Sequence, residues 1–349
     1  MILKSIRELE ENDVLARDIL TDDYRIILPQ GVEIRKDYIE KLGELGIKEV
    51  YVREKIEPGE ILILKSETEK SIKKTVKEVL ERHTYQNNDE LLELNKAADE
   101  IISSILEEDR VVERIFDIKE RSSDIYEHSI SICSLAILTA LRLNVEISKI
   151  HDIGVGCLLH DIGLRYMTID YNDQDIETLN RQELIEYMKH PVYGYSSLKD
   201  EGWISELSKS IILYHHERLD GSGFPLHTKD IPFECRIVNV CDAFDEMICG
   251  ITCQRVKIYQ AIEYLKNFKG KLFDEKIVDA FLKFTAVYPA GTKVLTNEGE
   301  TAVVLAQNKN FQDRPVIRII KDRNGNAVTK EVIKDLVKVH NIFIEKTLD

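Results

Sequence analysis

Between residues 124 and 245 the chain repeatedly sets histidines and carboxylates on helical faces that are otherwise apolar. Any fold of this chain has to find partners for them. A polar group buried without one costs roughly 1–3 kcal/mol, and a buried charge must be paired or bind metal. Asp124 and His128 are four residues apart, on one face of a helix that continues through Ile132, Ala136, Ala140 and Leu143. His160-Asp161 ends a helix with the apolar positions Ile150, Ile153, Cys157 and Leu158. His190-Pro191 follows a polar helix over 181–189, which the proline is expected to end. His215 continues the stripe Leu207 and Ile211, and His216 beside it points about 100° away. Asp242 and Asp245 share a helix with Val238 and Cys241. Singly, each pair has a plainer reading, such as a surface hydrogen bond or a helix terminus. Together they form a set of nitrogen and oxygen donors that suits metal ions.

The 349 residues, 43% hydrophobic and 32% charged, are those of a soluble globular protein of about two domains. No apolar run is long enough to span a bilayer, and the N-terminus turns charged at once, unlike a signal peptide. A cytoplasmic protein with no membrane partner is expected. A net charge of −15 disfavours nucleic acid as a partner and would repel an anionic substrate, unless bound cations supply local positive charge. The six cysteines form no CxxC pair and read as reduced core thiols.

The pattern along the chain predicts a mainly α protein with small β-rich modules at both ends. Residues 1–64 read as the first module. Arg25-Ile26-Ile27-Leu28 and Val32-Glu33-Ile34 flank a Pro29-Gln30-Gly31 turn as a hairpin, a short helix follows over 37–45, and Val50-Tyr51-Val52 is a strand. A helical connector over 65–94 contains the polar break Tyr85-Gln86-Asn87-Asn88-Asp89. Residues 95–287 form the helical domain with all the motifs. Residues 288–349 form a small barrel-like β module, with Asn324-Gly325 as a hairpin turn.

The order Asp124, His128, His160-Asp161, His190, His215-His216, Asp242 resembles the HD-GYP group of the HD superfamily of metal-dependent phosphohydrolases. The likeness continues through His215-His216-Glu217-Arg218-Leu219-Asp220-Gly221-Ser222-Gly223-Phe224-Pro225, Ile231-Pro232, Arg236-Ile237-Val238 and Asp242-Ala243-Phe244-Asp245. It covers roughly half of the chain. The resemblance implies a bacterial signalling hydrolase: a helical HD-type domain that cleaves cyclic di-GMP, to pGpG or GMP, or a related cyclic dinucleotide, through a hydroxide bridging two or three divalent cations. Fe or Mn is expected first, and Zn or Ni suits the same donors. By the same resemblance Asp124, His128, His160, Asp161, His190, His215, His216 and Asp242 are the metal ligands. His160 and Asp161 form the catalytic pair, with Asp161 as the bridge. Asp245 binds substrate or orients a ligand. The loop at Gly221–Pro225 is the counterpart of one that contacts diguanylate cyclases. A homodimer is compatible with the sequence.

This chain departs from the group's pattern at several positions. Asp124 stands where trinuclear members carry Glu. Leu164 stands where a phosphate-binding Lys is usual, with Arg165 one position off. Phe224 replaces a Tyr. Ile251-Thr252-Cys253 replaces Arg-Pro-Tyr, with Gln254 and Arg255 following. Two cations are thereby missing from the phosphate grip. The alternatives are a catalytically weak or inactive signalling scaffold and a hydrolase of another phosphate ester.

Overall fold

The computed structural model describes residues 2–348 except 10, 12, 16–18, 21–25, 30, 48, 53–60, 65, 83–88, 108–113, 119–123 and 169–175. The chain divides into two compact units, Met1–Gly59 and Glu60–Asp349. Composition had suggested boundaries near 64, 94 and 287.

The first unit contains β1 (Ile2–Ser5), β2 (Ile19–Leu20), β3 (Ile26–Leu28), α1 (Lys36–Glu44) and β4 (Glu49–Val52). Leu9, Leu15, Ile34, Leu42 and Val52 form its core. β1 pairs antiparallel with β4, and β2 with β3. The expected hairpin is therefore corrected. Val32 N–H does donate back to Pro29 O, but the two runs take different partners. β3 pairs with β2, whereas Leu15 N–H donates to Val32 O and Ile34 N–H to Asp13 O. Local turn chemistry read the bend correctly; pairing was decided by strands earlier in the chain. Arg25 and Gln30 lie outside the described residues, as does the polar break at 85–88.

The second unit begins with α2 (Ser66–Arg82) and α3 (Glu93–Leu106). The supposed connector supplies Ile72, Val76 and Leu91 to the main core. Next come α4 (Ile125–Arg142), α5 (Ile147–Leu159), α6 (Arg181–Tyr187), α7 (His190–Leu198), α8 (Glu206–Tyr214), α9 (Phe233–Cys249), α10 (Ile258–Asn267) and α11 (Glu275–Leu282). α4 is the central helix, buried on every side from 128 to 140. Two of its buried hydroxyls are satisfied along the helix itself: Ser134 donates to Ile130 O and Thr139 to Leu135 O. α4 packs on α5 and α9, and α5 packs on α8. The last contact is close, since a Cβ at Gly156 would lie 2.9 Å from the Ile211 side chain. The buried cysteines are free thiols whose pKa burial pushes up, so they remain protonated. No described helix is long and apolar enough to cross a membrane.

Among the described residues the chain ends in a five-stranded antiparallel sheet. It is built from β5 (Lys293–Thr296), β6 (Thr301–Asn308), β7 (Phe311–Lys321), β8 (Ala327–Asp335) and β9 (Ile344–Leu348), in the order β8-β7-β6-β5-β9. Gly325, at φ 83°, closes the β7–β8 hairpin where Asn324-Gly325 predicts it. β7 alternates as expected, burying Ile317 and Ile319.

Asp117 ties the sheet to the helices. Its carboxylate is buried and accepts from Ile61 N–H at 2.9 Å, Ala290 N–H at 2.8 Å and Gln307 Nε2 at 3.1 Å. Asp117→Ala strands these donors and should destabilise the second unit by about 2–4 kcal/mol. Chemical denaturation followed by far-UV circular dichroism reads this out; an unchanged midpoint would contradict it.

Candidate metal centre

Three histidines are aimed by the same local device. His160 caps the end of α5, His215 caps the end of α8, and His190 opens α7 directly after α6. Each donates Nδ1–H to the carbonyl three residues earlier: His160 to Cys157 at 2.7 Å, His190 to Tyr187 at 2.8 Å, His215 to Ile212 at 2.9 Å. A carbonyl only accepts, so Nδ1 holds the proton and Nε2 presents a lone pair. The proline expected to end a helix at 191 instead sits in the first turn of α7, where its missing N–H costs nothing. It thereby places His190 at a helix start.

These lone pairs converge. His190 Nε2 and His215 Nε2 are 3.1 Å apart. Asp161 lies between two sets of imidazoles: Oδ1 is 3.3 Å from His190 Nε2 and 3.7 Å from His215 Nε2, while Oδ2 is 3.3 Å from His160 Nε2. Asp242, on α9, faces two ways as well. Its Oδ1 is 3.4 Å from His128 Nε2 and 3.9 Å from His160 Nε2, and its Oδ2 is 3.4 Å from His216 Nδ1. Three donor groups result: Asp161, His190, His215 and His216; His128, His160 and Asp242; and His216, Asp242 and Glu246.

The donor set fits divalent cations. Asp242 is fully buried, and neither of its oxygens nor His160 Nε2 has a hydrogen-bond partner among the described residues. Two lone pairs at 3.1 Å and an unpartnered buried carboxylate are costly without a cation between them. Burial lowers the His215 pKa, and burial with the charges of His215 and His190 holds His216 well below its usual value. Both are thus neutral and ready to ligate. Burial opposes protonation of His128 and His160 too, but Asp242 with Asp245 raises the first, and Asp161 the second.

Asp124 belongs to none of the three groups. It is the N-cap of α4, accepting from Tyr126 and Glu127 N–H, and it pairs with Lys73 at 2.8 Å. A short polar residue just before an apolar helix reads as a cap, and that local role is the one adopted. Asp245 is fully buried against protein rather than open to a ligand. It accepts from His128 Nδ1–H at 2.8 Å and Ser131 Oγ–H at 2.5 Å, which orients His128.

Sequence reasoning passed over Glu217, Glu246 and Ser131. Buried Glu217 accepts from the N–H groups of Leu226, His227 and Thr228 and clasps the loop after Gly221. Gly223 lies so close to the 216–218 backbone that a Cβ there would overlap it. The clasped loop lays the Phe224 ring over His216, with centroids 4.5 Å apart. Glu246 stands one turn beyond Asp242 on α9, and that spacing was the available signal. Burial and the Asp242 charge raise its carboxyl to about 8. Leu164 is buried, and Arg165 is turned away, donating to Leu80 O and Glu81 O at the end of α2.

Two outcomes follow. Because His128 and His160 hold their protons above the usual imidazole range and ligation needs them neutral, metal affinity should climb as pH rises past 6.5. Calorimetry in buffers of different ionisation enthalpy should then show proton release near neutrality, and pH-independent binding would refute this. Asp245→Asn should weaken metal binding roughly 10–100-fold by loosening His128, read by competition with a chromogenic chelator.

Comparison with known proteins agrees with this geometry. Residues 110–277 match the HD domain, and residues 293–349 match a KOW domain associated with HD domain. A cyclic di-GMP phosphodiesterase of Pseudomonas aeruginosa is 29% identical over 245 residues, 68% of this chain and 58% of that protein. The cyclic di-GMP phosphodiesterase response regulator RpfG of Xanthomonas campestris is 33% identical over 153 residues, 43% of this chain and 40% of that protein. The chain thus spans between two fifths and three fifths of these relatives' lengths. An HDG"Y"P protein from Bdellovibrio bacteriovorus shares the fold, with a TM-score of 0.53 at 18% identity over 80% of this chain and 97% of that one. The doublets His160-Asp161 and His215-His216 converge inside the matched region: residues 110–277 form an HD domain, followed by the KOW domain associated with it.

Proposed function

We propose that the protein is a metal-dependent phosphodiesterase of a cyclic dinucleotide, with cyclic di-GMP the first candidate. The observation that carries this reading is the bridging position of Asp161, one oxygen toward His190 and His215 and the other toward His160. In this reading Asp161, His190 and His215 hold one cation, and His128, His160 and Asp242 hold another. Fe or Mn suits the mixed imidazole and carboxylate donors best. When bound, such cations supply Lewis acidity toward a phosphate and lower the pKa of a bound water. The chain's own residues prepare the place. The three carbonyl-anchored imidazoles are pre-aimed, Asp245 locks His128, and Phe224 keeps water from one face of His216. Arg218, held by the Glu217 carbonyl at 3.0 Å and stacked over Phe273, places positive charge near His216 and Glu246.

A second reading, a metal-loaded signalling scaffold with little turnover, is favoured by Leu164 and Arg165. No cation is offered at the first position, and the second is committed to α2. Protein loaded anaerobically with Fe or Mn should convert cyclic di-GMP to pGpG or GMP, followed by liquid chromatography. Asp161→Ala should lose roughly 100-fold or more, beyond the usual effect of a mere orienting residue. Full metal loading with no turnover would leave the scaffold reading.

A further inference from the structure

Glu246 has no place in the motif order that identifies the group, yet its carboxylate joins His216 and Asp242 in a donor group of its own. We propose that Glu246 is a metal ligand and that, with His216 and Asp242 Oδ2, it forms a third divalent-cation site. The proposal rests on the metal-dependent reading of the same centre.

Asp161, His190 and His215 make one set, with His216 also within reach, and His128, His160 and Asp242 Oδ1 a second. That leaves Asp242 Oδ2, fully buried, without a hydrogen-bond partner and 3.4 Å from His216 Nδ1. Glu246 lies four residues further along α9, on the same helix face as Asp242. Thr252 Oγ1–H donates to Glu246 Oε1 at 2.9 Å, which fixes the side chain and leaves the other oxygen free to ligate. The ligand atoms of the three residues lie within 4.8 Å of one another, with His216 and Asp242 buried and Glu246 half-buried, so one cation could take a donor from each.

The same comparison explains Asp124. The acid that the resemblance offers for a third cation is committed to the α4 N-cap and Lys73. The role passes to Glu246. Thr252, which steadies it, stands in the stretch Ile251-Thr252-Cys253 where the usual cation is missing. A cation held there would supply local positive charge in that stretch. Two oxygen ligands and one nitrogen suit Mn or Fe.

The test is Mn²⁺ titration of the metal-stripped full-length protein, with bound metal counted by plasma mass spectrometry. Wild type should take up three equivalents. Glu246→Gln, which keeps the side chain's size, should take up two with an unchanged circular dichroism spectrum. Thr252→Val should keep three, the weakest bound about tenfold less tightly. Wild type saturating at two, or Glu246→Gln retaining three at wild-type affinity, overturns the proposal while leaving the two-cation reading intact. Absence of metal binding in all three proteins overturns both.

Discussion

The centre is governed by nitrogen and oxygen donors that face one another at close range in a dry interior. His190 and His215 point lone pairs at each other across 3.1 Å, and Asp242 turns two unpartnered oxygens toward three imidazoles. Such an arrangement is expensive in the absence of positive charge. It persists because the groups are carried by helices whose other faces pack into one large apolar core. Packing of α4, α5, α8 and α9 fixes the donors in place. Cations bound among them would stabilise that arrangement, and metal loading and folding would then be linked.

Four of the imidazoles are also aimed from behind. Three histidines hang from carbonyls of their own helix ends, one from a buried aspartate, and the loop after Gly221 from Glu217. The anchors are short and local, so rotamers are set before any ligand arrives. That economy places His160 and His215 at helix C-caps and His190 at a helix start. At these sites the chain turns, and backbone carbonyls are left unused by the helix.

Around this geometry the chain redistributes charge. Leu164 and Ile251 remove two cations, Arg165 is turned toward α2, and Glu246 adds an acid beside Asp242. With a net charge of −15, the protein would meet an anionic substrate only through positive charge held locally. A substrate anion at such a centre would depend on bound cations more heavily than at a site lined with lysine and arginine.

Much of this was legible in the residues themselves. Helical periodicity located the helices over 125–142, 147–159 and 233–249, and Asn324-Gly325 marked its hairpin, because these signals depend on neighbours within a few residues. The doublets His160-Asp161 and His215-His216 announced a centre, since polar pairs on apolar stripes demand partners. Other features depended on residues far apart in sequence. Asp124 read as a ligand because its spacing from His128 suits one, yet Lys73 and two backbone N–H groups claim it as a cap. Asp245 read as a substrate contact, yet Ser131 and His128 close over it. The β3 hairpin had the right turn and the wrong partner. Spacing along a chain fixes which face a side chain shares; only packing decides what stands opposite that face. Glu246 is the clearest instance: the sequence put it one turn from Asp242, and the tertiary fold brought His216 to meet them both.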